Sequence, residues 1–282
     1  MNDVGNIQWF PGHMTKTRRL IEADLKMVDA VVEITDARIP ESSRNPILDE
    51  LVKDKPRIIL MNKCDYADEA ATRAWKQYYE KKGIRVLTCD CRSGKGLNAF
   101  LPEVKRLLAE LIERRKKRGM IGKALRLMVV GIPNVGKSSF INRMAKTKKT
   151  KVGDKPGVTR GKQWVSIDKD VELLDMPGIL WPKFDDQLAA QRLAFTGAIK
   201  DDVMDTEALA RALGAVLKEQ YPDLLNARYK LTGDEDILRD IAKSRGMLVS
   251  GGEPDAERAA AALLDEYRGG KIGRITLEKP GR

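Results

Sequence analysis

"LRLMVVGIPNVGKSSFINRMA", residues 125–145, decides how this chain folds. The first six residues read as a buried strand, and "KSSFINRMA" reads as a helix. Between them Gly131-Ile132-Pro133-Asn134-Val135-Gly136-Lys137-Ser138 matches G-x-x-x-x-G-K-[ST], in the strand–turn–helix context that this pattern needs. Glycines let backbone N–H groups fold around phosphate oxygens, and the helix N-terminus adds its positive dipole end. Lys137 is expected to reach the β and γ phosphates and Ser138 to hold Mg²⁺, while Asn134, Val135, Gly136 and Ser139 complete the phosphate-side set.

Other short apolar runs extend this into a sheet. "VDAVVEITDAR" (28–38), "PRIILMNK" (56–63), "GIRVLT" (83–88), "GKQWVSI" (161–167) and "VELLDMPG" (171–178) all read as strands. Residues 97–117 read as one helix, with Leu97, Leu101, Val104, Leu108, Leu111 and Ile112 on one face and Gly119 as its stop. Strands separated by helices imply an α/β fold, a mostly parallel sheet with helices on both faces. From residue 186 the pattern is helical only. Asp205 is placed to cap one helix, Pro222 to open the next, Gly246 to stop a third, and "DAERAAAALLDEYRGG" supplies a fourth. The expected division is therefore 1–185, a nucleotide-binding domain, and 186–282, a smaller all-α domain.

Charge follows the same division. The 282 residues carry a net charge of +11. Residues 1–185 hold 37 Lys and Arg against 24 Asp and Glu, a net +13, whereas residues 186–282 hold 15 against 17, a net −2. Two stripes are concentrated: residues 105–126 have nine basic and two acidic side chains, and residues 142–162 have eight and one. Stripes of this size beside a phosphate-binding loop point to a polyanionic partner, nucleic acid first. The three cysteines, Cys64, Cys89 and Cys91, form no C-x-x-C pair and read as ordinary thiols of a reducing compartment. No apolar run approaches the roughly 20 residues of a membrane span, so the expected location is the cytosol, with no membrane partner.

The base is read elsewhere. Asn62-Lys63-Cys64-Asp65, at the end of a strand, follows the N-K-x-D pattern of guanine-specific proteins. The Asp65 carboxylate can accept from guanine N1–H and N2–H₂, which adenine does not offer. Asn62 would support the loop, and the stem of Lys63 would cover the ring. Asp175-Met176-Pro177-Gly178 fits D-x-x-G, with Asp175 near Mg²⁺ and the Gly178 N–H near the γ phosphate. Thr159, in "PGVT", stands in a basic loop from which it could close on Mg²⁺ when the γ phosphate is present. The order is unusual, because N-K-x-D precedes the P-loop by about 70 residues. The same sheet can be built if the domain is circularly permuted, since the ends of a compact domain commonly lie close together.

Together "QWFPGHM", "DARIP", "NKCD", "GIPNVGKSS", "PGVT", "DMPGILWPKF" and "TGAIKD" resemble the circularly permuted GTPases of ribosome assembly over nearly the whole chain. The resemblance implies a GTPase of low basal activity, stimulated by the ribosome. Its cofactors would be GTP or GDP with Mg²⁺, and its partners the large ribosomal subunit precursor and its RNA. Under this reading the chain is a monomer that promotes late maturation of the large subunit, with hydrolysis driving release. The guanine-flanking loop is Asp90-Cys91-Arg92 where Ser-Ala-Lys is usual, and its backbone N–H groups are expected to reach the base oxygen.

One catalytic position departs from the Ras type. Ile179 follows D-x-x-G where a glutamine would orient the attacking water. Three sources of a replacement remain open: Asn134, which resembles an asparagine that helps to bind K⁺ in some GTPases of this group; the lone histidine, His13; and a group supplied by the ribosome. His13 also reads as a turn residue that packs or binds RNA, and Trp9 and Phe10 beside it as core anchors or stacking surfaces. The competing function is a GTP-sensing RNA-binding scaffold whose hydrolysis is incidental.

Overall fold

The computed structural model describes residues 14–52, 55–120, 122–146, 163–178, 186–199, 204–233 and 236–281. These fall into two compact units, one of residues 14–178 with 278–281 and the other of residues 186–277. The expected boundary at 185/186 assigns the whole tail to the helical part, but residues 278–281 pack with the sheet.

The first unit is built on six strands: β1 Ala30–Asp36, β2 Arg57–Asn62, β3 Arg85–Thr88, β4 Leu125–Val130, β5 Gln163–Asp168 and β6 Val171–Asp175. Their order across the sheet is β3-β2-β1-β4-β6-β5, with every pair parallel except β5 against β6. From β1 the chain moves outward through β2 to β3, returns to β4, crosses to the far edge at β5 and comes back to β6 between them. The reversal falls between β1 and β4, and in parallel α/β sheets the crevice at such a switch point, at the carboxyl ends of the strands, is where ligands bind. The central strands are buried along nearly their whole length, with Arg126 the exposed exception, as their Val-, Ile-, Leu- and Met-rich sequences predict.

Helices cover both faces. α1 (Met14–Leu25) and α2 (Pro46–Leu51) place Ile21, Leu25 and Leu48 against Val31, Met128, Val130 and Leu174. α3 (Glu69–Lys81), capped by Asp68 accepting from the Ala71 N–H at 2.7 Å, packs Trp75 and Tyr79 on Ile59 and Val86. The helix expected over 97–117 is divided into a 3₁₀ turn (Leu97–Ala99), α4 (Phe100–Leu107) and α5 (Ala109–Lys117). Phe100, Val104 and Leu108 are buried, but no residue of α5 is, so the packing that fixes the helix axis stops at Leu108. Phe100 meets Phe140 of α6 (Lys137–Lys146) edge to face, with ring centroids 5.0 Å apart, joining α4 to the helix that follows the P-loop.

In the second unit α8 (Thr206–Gln220) packs against α7 (Gln187–Phe195), α9 (Pro222–Tyr229), α10 (Ile237–Arg245) and α11 (Ala256–Arg268). The expected start and stop signals are where the sequence puts them. Asp205 accepts from the Ala208 N–H at 3.0 Å, Pro222 opens α9 and Gly246 ends α10. Arg268 donates to the carbonyls of Ala194 and Phe195, satisfying the C-terminal end of α7. No described helix is long and apolar enough to cross a membrane.

Candidate nucleotide site

Three loops meet at the carboxyl ends of β2, β4 and β6. Asn62 joins two of them: its Nδ2 donates to the Val135 carbonyl of the P-loop at 2.8 Å, while its Oδ1 accepts from the Cys91 N–H at 2.9 Å. A buried amide with both ends used in this way fixes the spacing between the phosphate loop and the base loop. Gly136, at φ +106°, makes room for it, since a Cβ there would stand 2.2 Å from the Asn62 Nδ2. Asn134 and Lys63 hold left-handed backbone at φ 58° and φ 60°, and only one other described non-glycine residue does so. Such conformations persist where surrounding structure over-determines them, commonly at ligand sites.

Lys137 is buried, with Nζ donating to the Gly131 and Ile132 carbonyls at 3.0 and 2.8 Å. Burial pulls its ammonium down from the ordinary 10.5 to about 8, and the nearby Asp175 carboxylate opposes that fall. Gly178 closes the other side, as a Cβ there would come within 2.9 Å of the same Nζ. D-x-x-G and the P-loop therefore share one cation. Ser138 and Ser139 are exposed in the first turn of α6, and Asp175 is buried at the end of β6.

The sign of the lysine shift gives a measurable consequence. At pH 9 the nucleotide-free protein carries Lys137 largely uncharged, and phosphate oxygens would restore the charge. Binding of GDP at that pH is expected to take up a substantial fraction of a proton, and affinity to fall as pH rises from 8 to 10. The same shift means that the unfolded chain binds more protons between pH 8 and 10.5, so the free protein gains stability across that window. Calorimetry in two buffers of different ionisation enthalpy checks the first point, and proton release or no exchange would contradict it.

On the base side, Asp65 Oδ1 is buried without a hydrogen-bond partner, and Oδ2 lies 3.8 Å from Arg92 Nη2. An orphaned carboxylate oxygen is costly unless a donor arrives, and the guanine edge offers two. The backbone of loop 90–93 is held by side chains of the protein itself. Asp90 accepts from the Arg92 and Ser93 N–H groups at 2.8 and 3.1 Å, and Cys91 N–H is taken by Asn62. Those three donors are therefore already engaged, two by the Asp90 carboxylate, which closes its own turn, and one by Asn62. Arg92 covers Tyr66, its guanidinium carbon 5.4 Å from the ring centroid.

A group that sequence reading missed stands behind Lys63. Its Nζ pairs with Asp36 Oδ2 at 2.9 Å, and Asp36 also receives Arg38 N and Nε on Oδ1 and Arg38 Nη2 on Oδ2. Burial would raise the Asp36 carboxyl, but the Arg38 guanidinium and Lys63 ammonium hold it well below the usual carboxylate range. "DARIP" contains both partners, but nothing in its spacing indicates a lysine 27 positions on from Asp36. His13, Thr159, Ile179, Trp9, Phe10 and Trp181 lie outside the described residues.

The glycine cradle around Asn62, the cation shared by two loops and the unpartnered Asp65 oxygen fit a guanine nucleotide, and the fold is that of a P-loop GTPase with permuted motif order. The 50S ribosome-binding GTPase family model matches residues 126–225, beginning at the P-loop strand and leaving Asn62–Asp65 outside. Ribosome biogenesis GTPase A of Bacillus licheniformis is 48% identical over 281 residues, 97% of this chain and 98% of that protein. Among solved structures, GDP-bound YlqF matches with a TM-score of 0.66 at 29% identity, and GNP-bound YlqF from T. maritima with 0.64 at 30%. Each match covers 94% of this chain, with 100% of the former and 99% of the latter. The chain belongs to the ribosome biogenesis GTPase A family. It binds guanine nucleotides and hydrolyses GTP.

Proposed function

We propose that the protein is a GTP-dependent assembly factor that binds pre-ribosomal RNA and promotes late maturation of the large ribosomal subunit, with hydrolysis driving release. The observation that carries the reading is a basic surface on the GTPase unit. Arg114, Lys116, Lys117 and Arg118 are all exposed on or just beyond α5, a helix with no buried residue. Such a helix contributes little to the core, and its charge suits phosphate contact. At the free edge of the sheet Trp164 is 36% exposed with Arg126 4.8 Å from its ring centroid, a pair suited to stacking on an unpaired base. The names of the relatives supply the ribosome as the source of that RNA. The helical unit, residues 186–277 among those described, would be a second contact for RNA or ribosome.

In this reading Asn62, Lys63 and Asp65 hold the base and Asn134 through Ser139 hold the phosphates. Ser138, Asp175 and Thr159 hold Mg²⁺, which would neutralise charge on the transferred phosphoryl group. Asn134 is the proposed ligand for K⁺. Ile179 leaves the attacking water without a polar partner from that position, so His13, K⁺ or a ribosomal group supplies it. The protein acts as a cytoplasmic monomer.

Single-turnover GTP hydrolysis with and without purified large subunits, in K⁺ and in Na⁺, tests this. The low basal rate should rise about tenfold or more when subunits and K⁺ are present, as expected when a missing catalytic group is supplied in trans. His13→Ala should lower the stimulated rate if the imidazole fills the role. Absence of acceleration in every salt would sink the assembly-factor reading and leave the GTP-sensing scaffold.

A further inference from the structure

The final residues of the chain are bound into the GTPase unit at one buried carboxylate. Ile275, Thr276 and Leu277 are buried in the helical unit, where the Tyr221 hydroxyl donates to the Thr276 carbonyl at 2.8 Å. At Glu278 the chain enters the GTPase unit, and its side chain is 4% exposed. The carboxylate accepts the Glu41 N–H at 2.7 Å, the Ser42 N–H at 3.1 Å and the Ser42 hydroxyl, while the Glu278 carbonyl accepts Trp75 Nε1–H at 3.0 Å. A carboxylate at this depth is tolerable only with its acceptor sites filled, and charge-assisted bonds of this kind are about twice as strong as neutral ones. Loop 37–45 and the tail therefore hold each other in place.

That loop is also the one behind the base pocket. Ser43 Oγ accepts from the Asp36 N–H at 2.9 Å, and Arg38 grips the Asp36 carboxylate. Asp36 in turn holds Lys63 Nζ, the lysine whose stem would cover the base and whose backbone sits at φ 60° between Asn62 and Cys64. The path from Glu278 to Lys63 runs through the Ser42 hydrogen bonds, the Ser42–Ser43 peptide link, the Ser43–Asp36 hydrogen bond and the Asp36–Lys63 ion pair, all among buried or half-buried groups, so little slack is available along it.

We propose that Glu278 is a positioning residue for guanine-nucleotide binding. The seated tail fixes loop 37–45, the loop fixes the Asp36–Lys63 pair, and affinity for guanine nucleotide depends on the tail being docked. Glu278 itself need not touch the nucleotide; it contributes by preorganising a side chain that does. The proposal rests on guanine-nucleotide binding alone and is independent of the assembly role.

Full-length Glu278→Gln and Trp75→Phe test it, by release of a fluorescent GDP analogue in stopped flow, steady-state hydrolysis and thermal unfolding. Each variant should release GDP about three to ten times faster, as loss of preorganisation predicts, with the change in hydrolysis falling on KM more than on kcat. A purely structural defect would not produce the second signature, in which Glu278→Gln adds little once Asp36→Asn is present, because both act through Lys63. If Glu278→Gln does not fold, Trp75→Phe carries the test, since it removes the donor to the Glu278 carbonyl while keeping an aromatic side chain there and leaving the Glu278 carboxylate with its partners. Unchanged release in the folded variants, or full additivity with Asp36→Asn, overturns the proposal.

Discussion

Gly136→Ala should reduce affinity for GDP by about two to three orders of magnitude while leaving a folded protein. The added methyl would meet Asn62 Nδ2 at 2.2 Å, far inside contact, and φ +106° is a conformation that L side chains rarely adopt. Strain of this kind costs roughly 1–3 kcal/mol. Moving Asn62 aside breaks its bonds to the Val135 carbonyl and the Cys91 N–H, and buried polar groups left unpaired cost about 1–3 kcal/mol each. Part of this is relieved as the loops relax. About 3–4 kcal/mol remains at the site, and each 1.4 kcal/mol is tenfold in binding. Calorimetric titration with GDP, beside thermal unfolding of the same sample, checks both halves. Affinity within threefold of the parent protein would mean that the Asn62 bridge does not set the spacing of the two loops.

The same bridge shows where sequence reading is strong and where it stops. Each motif at a strand end is local: Gly131–Ser138 and Asn62–Asp65 are short strings whose chemistry follows from residue type and spacing, and strand–turn–helix context can be read from apolar runs. The mostly parallel sheet follows as well, from apolar strand runs separated by helices, but the order of its strands does not. By contrast Asn62 and Val135 are 73 positions apart, and Glu278 and Ser42 are 236 apart. No periodicity encodes such pairs, and Glu278 looks like one more surface acid in "TLEKPGR" until its neighbours are in place. The break at Leu108 was hidden for a related reason. Leu111 and Ile112 continue the apolar spacing, but α5 buries neither, so pattern alone overstated the packing. Capping residues did better: Asp205, Pro222 and Gly246 act within a few residues of themselves, and each stands where the sequence indicates. The turn closed by Asp90 is not legible either, because a side chain that closes its own turn has the same sequence signature as one that faces a ligand.

Asp65→Asn should change which base the protein accepts, with the loss for GDP on the order of a thousandfold or more. Asp65 presents acceptors: Oδ1 is buried without a partner, and the guanidinium of Arg92 lies 3.8 Å from Oδ2. Guanine turns two donors, N1–H and N2–H₂, toward such an acceptor pair. An asparagine keeps the shape but replaces one acceptor with an NH₂ donor, so one guanine donor would face another donor with no water between them. Sites built around a hydrogen bond reject a mismatched group by about 10⁴–10⁵, whereas shape alone rejects it weakly. Xanthine differs from guanine by a carbonyl where the amino group stands, and that carbonyl accepts the new NH₂. Xanthosine diphosphate should therefore bind Asp65→Asn better than GDP does, and the parent protein should show the reverse preference. Because Asn62, Gly136 and Lys137 are untouched, the phosphate side is the same in both proteins, and the difference isolates the base. Competition between the two nucleotides for the same fluorescent probe reads it directly. If Asp65→Asn weakens both nucleotides equally, the carboxylate shapes the loop and does not read the base, and base recognition must be assigned to other groups.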